Sequence, residues 1–143
     1  MPLDLKASLP HREPFLLLDE ITELTDSSVK ARVTLRPDDD LWSRVYAGHY
    51  PGRPLTPGAL LCEMIFQAAA ALAGRLAAEL GLSGTPMVTR IREAKFRLPV
   101  LPGDSLAIQA ELEERLANAF FMRGGVRKDG RLAAEARFAV ALA

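Results

Sequence analysis

His49 and Glu63 are the residues of this chain whose types and placement suit proton chemistry. Between them runs Tyr50-Pro51-Gly52-Arg53-Pro54-Leu55-Thr56-Pro57-Gly58, a loop stiffened by proline and broken by glycine, which then enters an apolar helical pattern. An imidazole held in such a loop is a candidate acid/base, because it exchanges protons near neutral pH. Glu63 is the only charged residue from Pro54 to Gly74, with Leu60, Cys62, Met64 and Ile65 around it in sequence. Burial among such neighbours favours a neutral carboxylic acid, and a neutral acid can donate its proton to a departing hydroxyl. Pro57-Gly58 opens the helix between the two, offering backbone N–H groups without intrahelical partners at the positive end of the dipole. Such a helix start suits the developing oxyanion of a thioester enolate. Each residue also has a plainer reading, His49 as an ordinary loop residue and Glu63 as an acid at a helix or subunit interface. Their joint occurrence, with Gly58 between them, is the sharper signal.

Other chemistries have less support. Cys62 has no histidine near it in sequence and reads as a buried, inert thiol. No Gly-x-Ser-x-Gly elbow, phosphate loop, dinucleotide fingerprint or His-Glu-x-x-His is present. Two histidines and one cysteine, widely separated, make a weak metal case, and the run Asp38-Asp39-Asp40 reads as a solvated loop or a helix start.

The elements that must position these groups follow from periodicity. The chain has 143 residues, a length that suits one domain, here taken as 1–143. Its net charge of zero gives no global field for nucleic acid or an anionic membrane. One cysteine excludes an internal disulfide framework, and no secretory signal pattern opens the chain, so a cytoplasmic location is expected. The apolar stretch 54–74 is not expected to insert in a membrane, because two prolines and the central Glu63 interrupt it. Residues 3–9 suggest a short amphipathic turn, Phe15 to Leu24 a first strand, and Val29 to Leu35 a half-buried strand of period two. The helix is expected to run from Pro57-Gly58 to about Leu80, with Gly81 as its stop. Strands follow at 87–98, around Leu106–Leu112, around Phe120–Val126 and at Leu132–Leu142, with Asp129-Gly130 as a type I′ hairpin turn. Two strands, one long buried helix and about four further antiparallel strands predict an α+β domain whose sheet curls around a central helix.

Gly48-His49-Tyr50-Pro51-Gly52, Pro54, Pro57-Gly58, Leu60, Glu63 and Gln67 closely resemble the string G-H-F-P-G-x-P-x-x-P-G-x-L-x-x-E-x-x-x-Q of the FabZ-type β-hydroxyacyl-acyl-carrier-protein dehydratases. The opening Leu9-Pro10-His11-Arg12-Glu13-Pro14-Phe15-Leu16-Leu17-Leu18-Asp19 looks like that family's start. The segments Ala94-Lys95-Phe96-Arg97-Leu98-Pro99-Val100 and Pro102-Gly103-Asp104 also resemble it. The resemblance implies a hot-dog fold and loss of water from a 3-hydroxyacyl thioester to give the trans-2-enoyl thioester. His49 would take the α-proton, Glu63 would protonate the departing hydroxyl, and the Gly58 N–H would polarise the carbonyl. It implies no metal or redox cofactor, since the thioester carbonyl itself acidifies the α-proton. The substrate would ride on the phosphopantetheine of an acyl carrier protein. The implied assembly is a homodimer whose sites pair His49 of one subunit with Glu63 of the other, with a trimer of dimers as the usual higher form.

Carrier proteins of this type are acidic, so the resemblance makes Arg90, Arg92, Lys95 and Arg97 docking candidates, against the alternative of a solvated strand face. Tyr50, Phe66 and Gln67 are candidates for the acyl tunnel. Tyr50 stands where the family usually has phenylalanine, and Phe66 is bulky where the family tends to be small, which would narrow or redirect that tunnel. The approach Leu41-Trp42-Ser43-Arg44-Val45-Tyr46-Ala47 also departs from the family's pattern, which leaves acyl length and pathway open. Glutamate at position 63, where the related dehydratase/isomerase branch has aspartate, favours dehydration without isomerisation. The competing readings are a hot-dog thioesterase, in which Glu63 activates water, and a non-catalytic subunit that binds an acyl carrier.

Overall fold

Alternation of Val29, Ala31 and Val33 with Lys30, Arg32 and Thr34 produces a strand with one apolar face, and the same rule builds most of the sheet. The structure, a computed structural model, describes residues 3–143. Its elements are α1 (Leu5–Ser8), β1 (Glu20–Leu24), β2 (Ser28–Thr34), α2 (Asp40–Gly48), α3 (Gly58–Leu80), β3 (Pro86–Phe96), β4 (Ser105–Leu116), β5 (Ala119–Lys128) and β6 (Arg131–Leu142). The six strands form one sheet in the order β1-β2-β4-β5-β6-β3, each pair antiparallel. The central helix and the enclosing sheet are those expected from periodicity.

Helix α3 lies across the sheet and touches all six strands. Met64, Ile65, Ala68, Ala69, Leu72 and Ala73 are wholly buried against an inner face that includes Val29, Phe120 and Val126. Its alanines let the helix axis sit close to the strands, and dense packing of this kind is the main source of helix stability in a domain. By length and composition α3 could cross a membrane, but here its apolar surface is spent on the core. Gly81, in the left-handed conformation with φ 67°, ends it by donating to Ala77 O and Ala78 O. The turn between β5 and β6 has φ 51° at Asp129 and φ 74° at Gly130, the backbone a type I′ hairpin requires.

Two local expectations differ from the structure. The first strand begins at Glu20, and Phe15–Asp19 runs as a strap over α3. The cause is hydrogen bonding: Leu17 N–H donates to the Gln67 side-chain oxygen at 2.9 Å, and Phe15 O accepts from Gln67 Nε2 at 2.8 Å. These backbone groups are satisfied by a helix side chain and need no neighbouring strand. The approach to His49, expected to carry no element beyond a helix start at the acidic run, is the nine-residue helix α2. Its signal was Trp42 and Tyr46, four residues apart, which form the buried face of α2 with ring centroids 5.7 Å apart.

Strand β3 is an edge strand with one side unpaired. Register shifts between Val88 and Arg90 and between Ile91 and Glu93 interrupt its alternation. Met87, Ile91 and Phe96 are each more than half exposed along it (53%, 54% and 54%).

Candidate active site

The His49 ring is held by the backbone of its own loop. His49 N–H donates to Val45 O at 3.0 Å and so extends from the last turn of α2. Leu55 N–H returns to His49 O at 2.9 Å, and Nδ1 of the ring lies 2.8 Å from Leu55 O. A carbonyl oxygen only accepts, so Nδ1 carries the hydrogen and Nε2 keeps its lone pair. That tautomer is the one a general base needs.

The loop is tied down at its far end. Thr56 N–H donates to Val100 O at 2.9 Å, and the Thr56 hydroxyl lies 2.8 Å from the Tyr46 hydroxyl, both side chains being buried. Burial raises the Tyr46 pKa above its ordinary value, partly opposed by the hydrogen bond from Thr56 and reinforced by the Asp104 charge, so the phenol remains a neutral partner. The buried face of α2 therefore anchors the loop that presents His49.

Glu63 lies in a polar niche rather than the apolar surround expected for it. Met64 and Ile65 turn into the core, whereas the Glu63 side chain is 22% exposed beside His11, at 25%, and Gln67. Gln67 Nε2 donates to Glu63 Oε2 at 3.1 Å, and His11 Nε2 lies 3.7 Å from the same oxygen. Gln67 has 0% exposure, and its amide orientation follows from the strap, since Leu17 N–H needs an acceptor and Phe15 O needs a donor. Gln67→Leu leaves both backbone groups unpaired at similar volume. We expect it to lose about 2 kcal/mol of stability, read as a lower urea midpoint with an unchanged slope.

Gly58 begins α3, and Leu60 N–H and Leu61 N–H are the first to be bonded back, both to Pro57 O. A Cβ at Gly58 would come 2.8 Å from Phe96 Cε1 and 3.0 Å from its Cζ. The glycine is thus needed for the approach of a half-exposed aromatic ring to the helix start. Phe96 joins the site only through this contact.

The remaining candidates are spread along the molecule. Tyr50 is 57% exposed and stacks on the His49 ring at 4.3 Å. Phe66 packs edge-on against Phe138 with centroids 5.0 Å apart. Of the basic residues, Lys95 pairs with Glu93 at 3.1 Å, and Arg97 makes a two-pronged contact with Glu135. That contact raises the Arg97 pKa and lowers that of Glu135. Arg90 lies opposite Ala139, and Arg92 falls in the second register shift. The four do not form one uninterrupted patch, since Glu93 and Glu135 lie among them.

Cys62 is buried and free, and desolvation by burial raises its pKa, which suits an inert thiol. No grouping of three or more His, Cys, Asp or Glu side chains suited to hold a metal occurs among the described residues. His49 and Glu63 find their partners separately within one chain, His49 in its own loop and Glu63 on the strap side of α3. His11 is the residue that sequence reading left without a role. Its only signal was membership of the opening motif.

The FabA-like domain model matches residues 9–137. The chain is 39% identical over 134 residues to the 3-hydroxyacyl-[acyl-carrier-protein] dehydratase FabZ of Syntrophotalea carbinolica, covering 94% of this chain and 88% of that protein. It is 36% identical over 148 residues to the FabZ of Rhizorhabdus wittichii, covering 99% and 90%. Among solved structures, the dehydratase heterocomplex ApeI:P from Xenorhabdus doucetiae superposes with a TM-score of 0.81 at 22% identity, covering 99% of this chain and 91% of that one. A hypothetical thioesterase with coenzyme A from Streptococcus pneumoniae superposes with a TM-score of 0.67 at 15% identity, covering 87% and 84%. At those identities the two structures speak for the hot-dog fold alone.

Proposed function

Because this chain belongs to the FabA-like family, among the FabZ 3-hydroxyacyl-[acyl-carrier-protein] dehydratases, we propose that His49, Glu63 and the Gly58 N–H are its working groups. The reaction is dehydration of a 3-hydroxyacyl-[acyl-carrier-protein] to the trans-2-enoyl form, in fatty-acid or related acyl biosynthesis. The observation that carries the assignment is the bond from His49 Nδ1 to Leu55 O, which leaves Nε2 free to act as base.

Nε2 removes the α-proton, and the C–H electrons pass into the thioester carbonyl, whose oxygen the Gly58 N–H stabilises. As the enolate collapses, the α,β double bond forms and the β-carbon–oxygen bond breaks. Glu63 gives its proton to the departing hydroxyl, which leaves as water. The imidazolium and carboxylate then exchange a proton to restore the starting state. The thioester carbonyl supplies the acidity, so these steps require no cofactor.

The proposed unit is one dehydratase domain over 1–143, working as a homodimer in the cytoplasm and assembling further as a trimer of dimers. In it, His49 of one subunit meets Glu63 of the other. Support comes from the different partners that hold the two groups within one chain and from the unpaired edge of β3 with Met87, Ile91 and Phe96 exposed. A second copy laid along that edge would continue the sheet and cover those side chains. The partner in turnover is acyl carrier protein. Arg90 and Arg92 would lead its docking, with Lys95 and Arg97 supporting, since the latter two already hold Glu93 and Glu135. Tyr50 and Phe66 would line the acyl path, whereas Gln67, wholly buried and bonded to the strap, holds Glu63 instead.

The test is incubation of the purified protein with a short trans-2-enoyl thioester and with the matching 3-hydroxyacyl thioester. The expected result is interconversion of the two without release of free thiol. Thiol release would assign a thioesterase instead. Binding of acyl carrier protein without turnover of either compound would assign a non-catalytic subunit.

A further inference from the structure

His11, four residues before the strap, lies nearest the same oxygen of Glu63 that Gln67 holds. Nε2 of His11 is 3.7 Å from Glu63 Oε2, and Gln67 Nε2 donates to that atom at 3.1 Å. Nδ1 of His11 is buried with no hydrogen-bond partner among the described residues. A hydrogen on Nδ1 would therefore be an orphaned buried donor, the more costly kind of unpaired group. Nε2 instead has a carboxyl oxygen, Glu63 Oε2, 3.7 Å away. The favoured tautomer of neutral His11 is accordingly Nε2–H, the reverse of His49.

The backbone at His11 is also fixed. The Arg12 guanidinium donates to His11 O at 2.7 Å, Leu9 O at 2.9 Å and Lys6 O at 3.0 Å, so its hydrogen bonds go to the backbone of the segment before the strap. Gln67 is held by Leu17 N–H and Phe15 O. Two donors, Gln67 held by the strap and His11 by the segment before it, thus converge on Oε2. In a carboxylic acid, one oxygen is the acceptor and the other bears the hydrogen. Donors on Oε2 make it the acceptor and leave the proton on Oε1.

We propose that His11 is a positioning residue, acting with Gln67 to fix Oε2 of Glu63 as the acceptor oxygen so that Oε1 carries the proton delivered to the departing hydroxyl. This rests on the reading of Glu63 as the acid. The present separation exceeds hydrogen-bond length, and catalytic contacts of this kind commonly tighten when substrate is bound. A misdirected acid proton costs rate without weakening ground-state binding.

The experiment compares kcat and KM for hydration of a short trans-2-enoyl thioester by wild type, His11→Leu and His11→Gln, with thermal unfolding of each. Leucine keeps the bulk and removes the donor; the glutamine amide restores an N–H close to the Nε2 position. His11→Leu is expected to lower kcat about tenfold, leaving KM within about twofold. His11→Gln is expected to recover most of that loss at an unchanged melting temperature. Should His11→Leu fail to fold, His11→Asn, whose amide is too short to reach Glu63, is read in its place. Wild-type kcat in the donorless variant would overturn the proposal, as would a loss that His11→Gln does not repair. Glu63→Gln in the same assay separates the two claims. If it keeps wild-type activity, the acid assignment itself fails. If it is inactive while His11→Leu is unaffected, only the role of His11 falls.

Discussion

Chains carrying His49→Ala and chains carrying Glu63→Gln should each retain on the order of one-thousandth of wild-type turnover, yet an equal mixture refolded or co-expressed together should recover about one quarter. The single losses follow from removing the base or the acid of one proton-transfer sequence. The recovery follows from the symmetry of a two-fold dimer. Random assortment makes half of the dimers mixed, and each mixed dimer has one site with both defects and one with neither. The premise is the separate anchoring of the two residues. His49 is bonded to its own loop through Leu55 O, and Glu63 is turned toward His11 and Gln67 under the strap. Mixed dimers that stay as inactive as the parents would place both groups in one chain. Two active single variants would remove the site altogether. A trimer of dimers gives the same fraction, because each site still belongs to one dimer.

The second large effect concerns the frame that holds the site. Gly124 lies on β5 facing α3, paired with Ala110 on one side and Ala136 on the other. A Cβ there would overlap Ile65 Cγ2 and lie 2.7 Å from the backbone oxygen of Gln109. Ile65 is wholly buried, and the Gln109 oxygen belongs to the neighbouring strand, so neither can yield without moving helix or sheet. Gly124→Ala is therefore expected to destabilise the fold by about 3 kcal/mol or more, measured by denaturant unfolding. By contrast, the three atoms nearest a Cβ at Gly58 all belong to the Phe96 side chain, and none is backbone. An alanine at 124 within about 0.5 kcal/mol of wild type, the range of an innocuous surface change, would mean that the helix does not bear on the sheet as described.

Much of the architecture was legible because its signals are local. The period-two pattern of Val29 to Val33 and the apolar run ended by Gly81 depend on neighbours along the chain, and each corresponds to an observed element. Asp129-Gly130 likewise adopts the turn its residue types favour. Phe15–Asp19 reads as a strand because its residues are largely apolar, whereas its hydrogen-bond partner is a helix side chain fifty residues away. Of helix α2 the sequence marks no more than a start at the acidic run, as one of two readings, because its buried face consists of just Trp42 and Tyr46.

The candidate site divides in the same way. The residues His49, Gly58 and Glu63, and the loop and helix that carry them, were readable from type and spacing, because a lone acid in an apolar helix and a Pro/Gly loop are visible in one dimension. The tautomer of His49, the contact of Phe96 with the helix start and the convergence of His11 and Gln67 on one oxygen of Glu63 were decided only by the tertiary structure. Those contacts include backbone carbonyls and partners remote in sequence. A hydrogen-bond acceptor that every residue possesses leaves no mark in a sequence, and a partner fifty residues away becomes a neighbour only when the strap closes over α3.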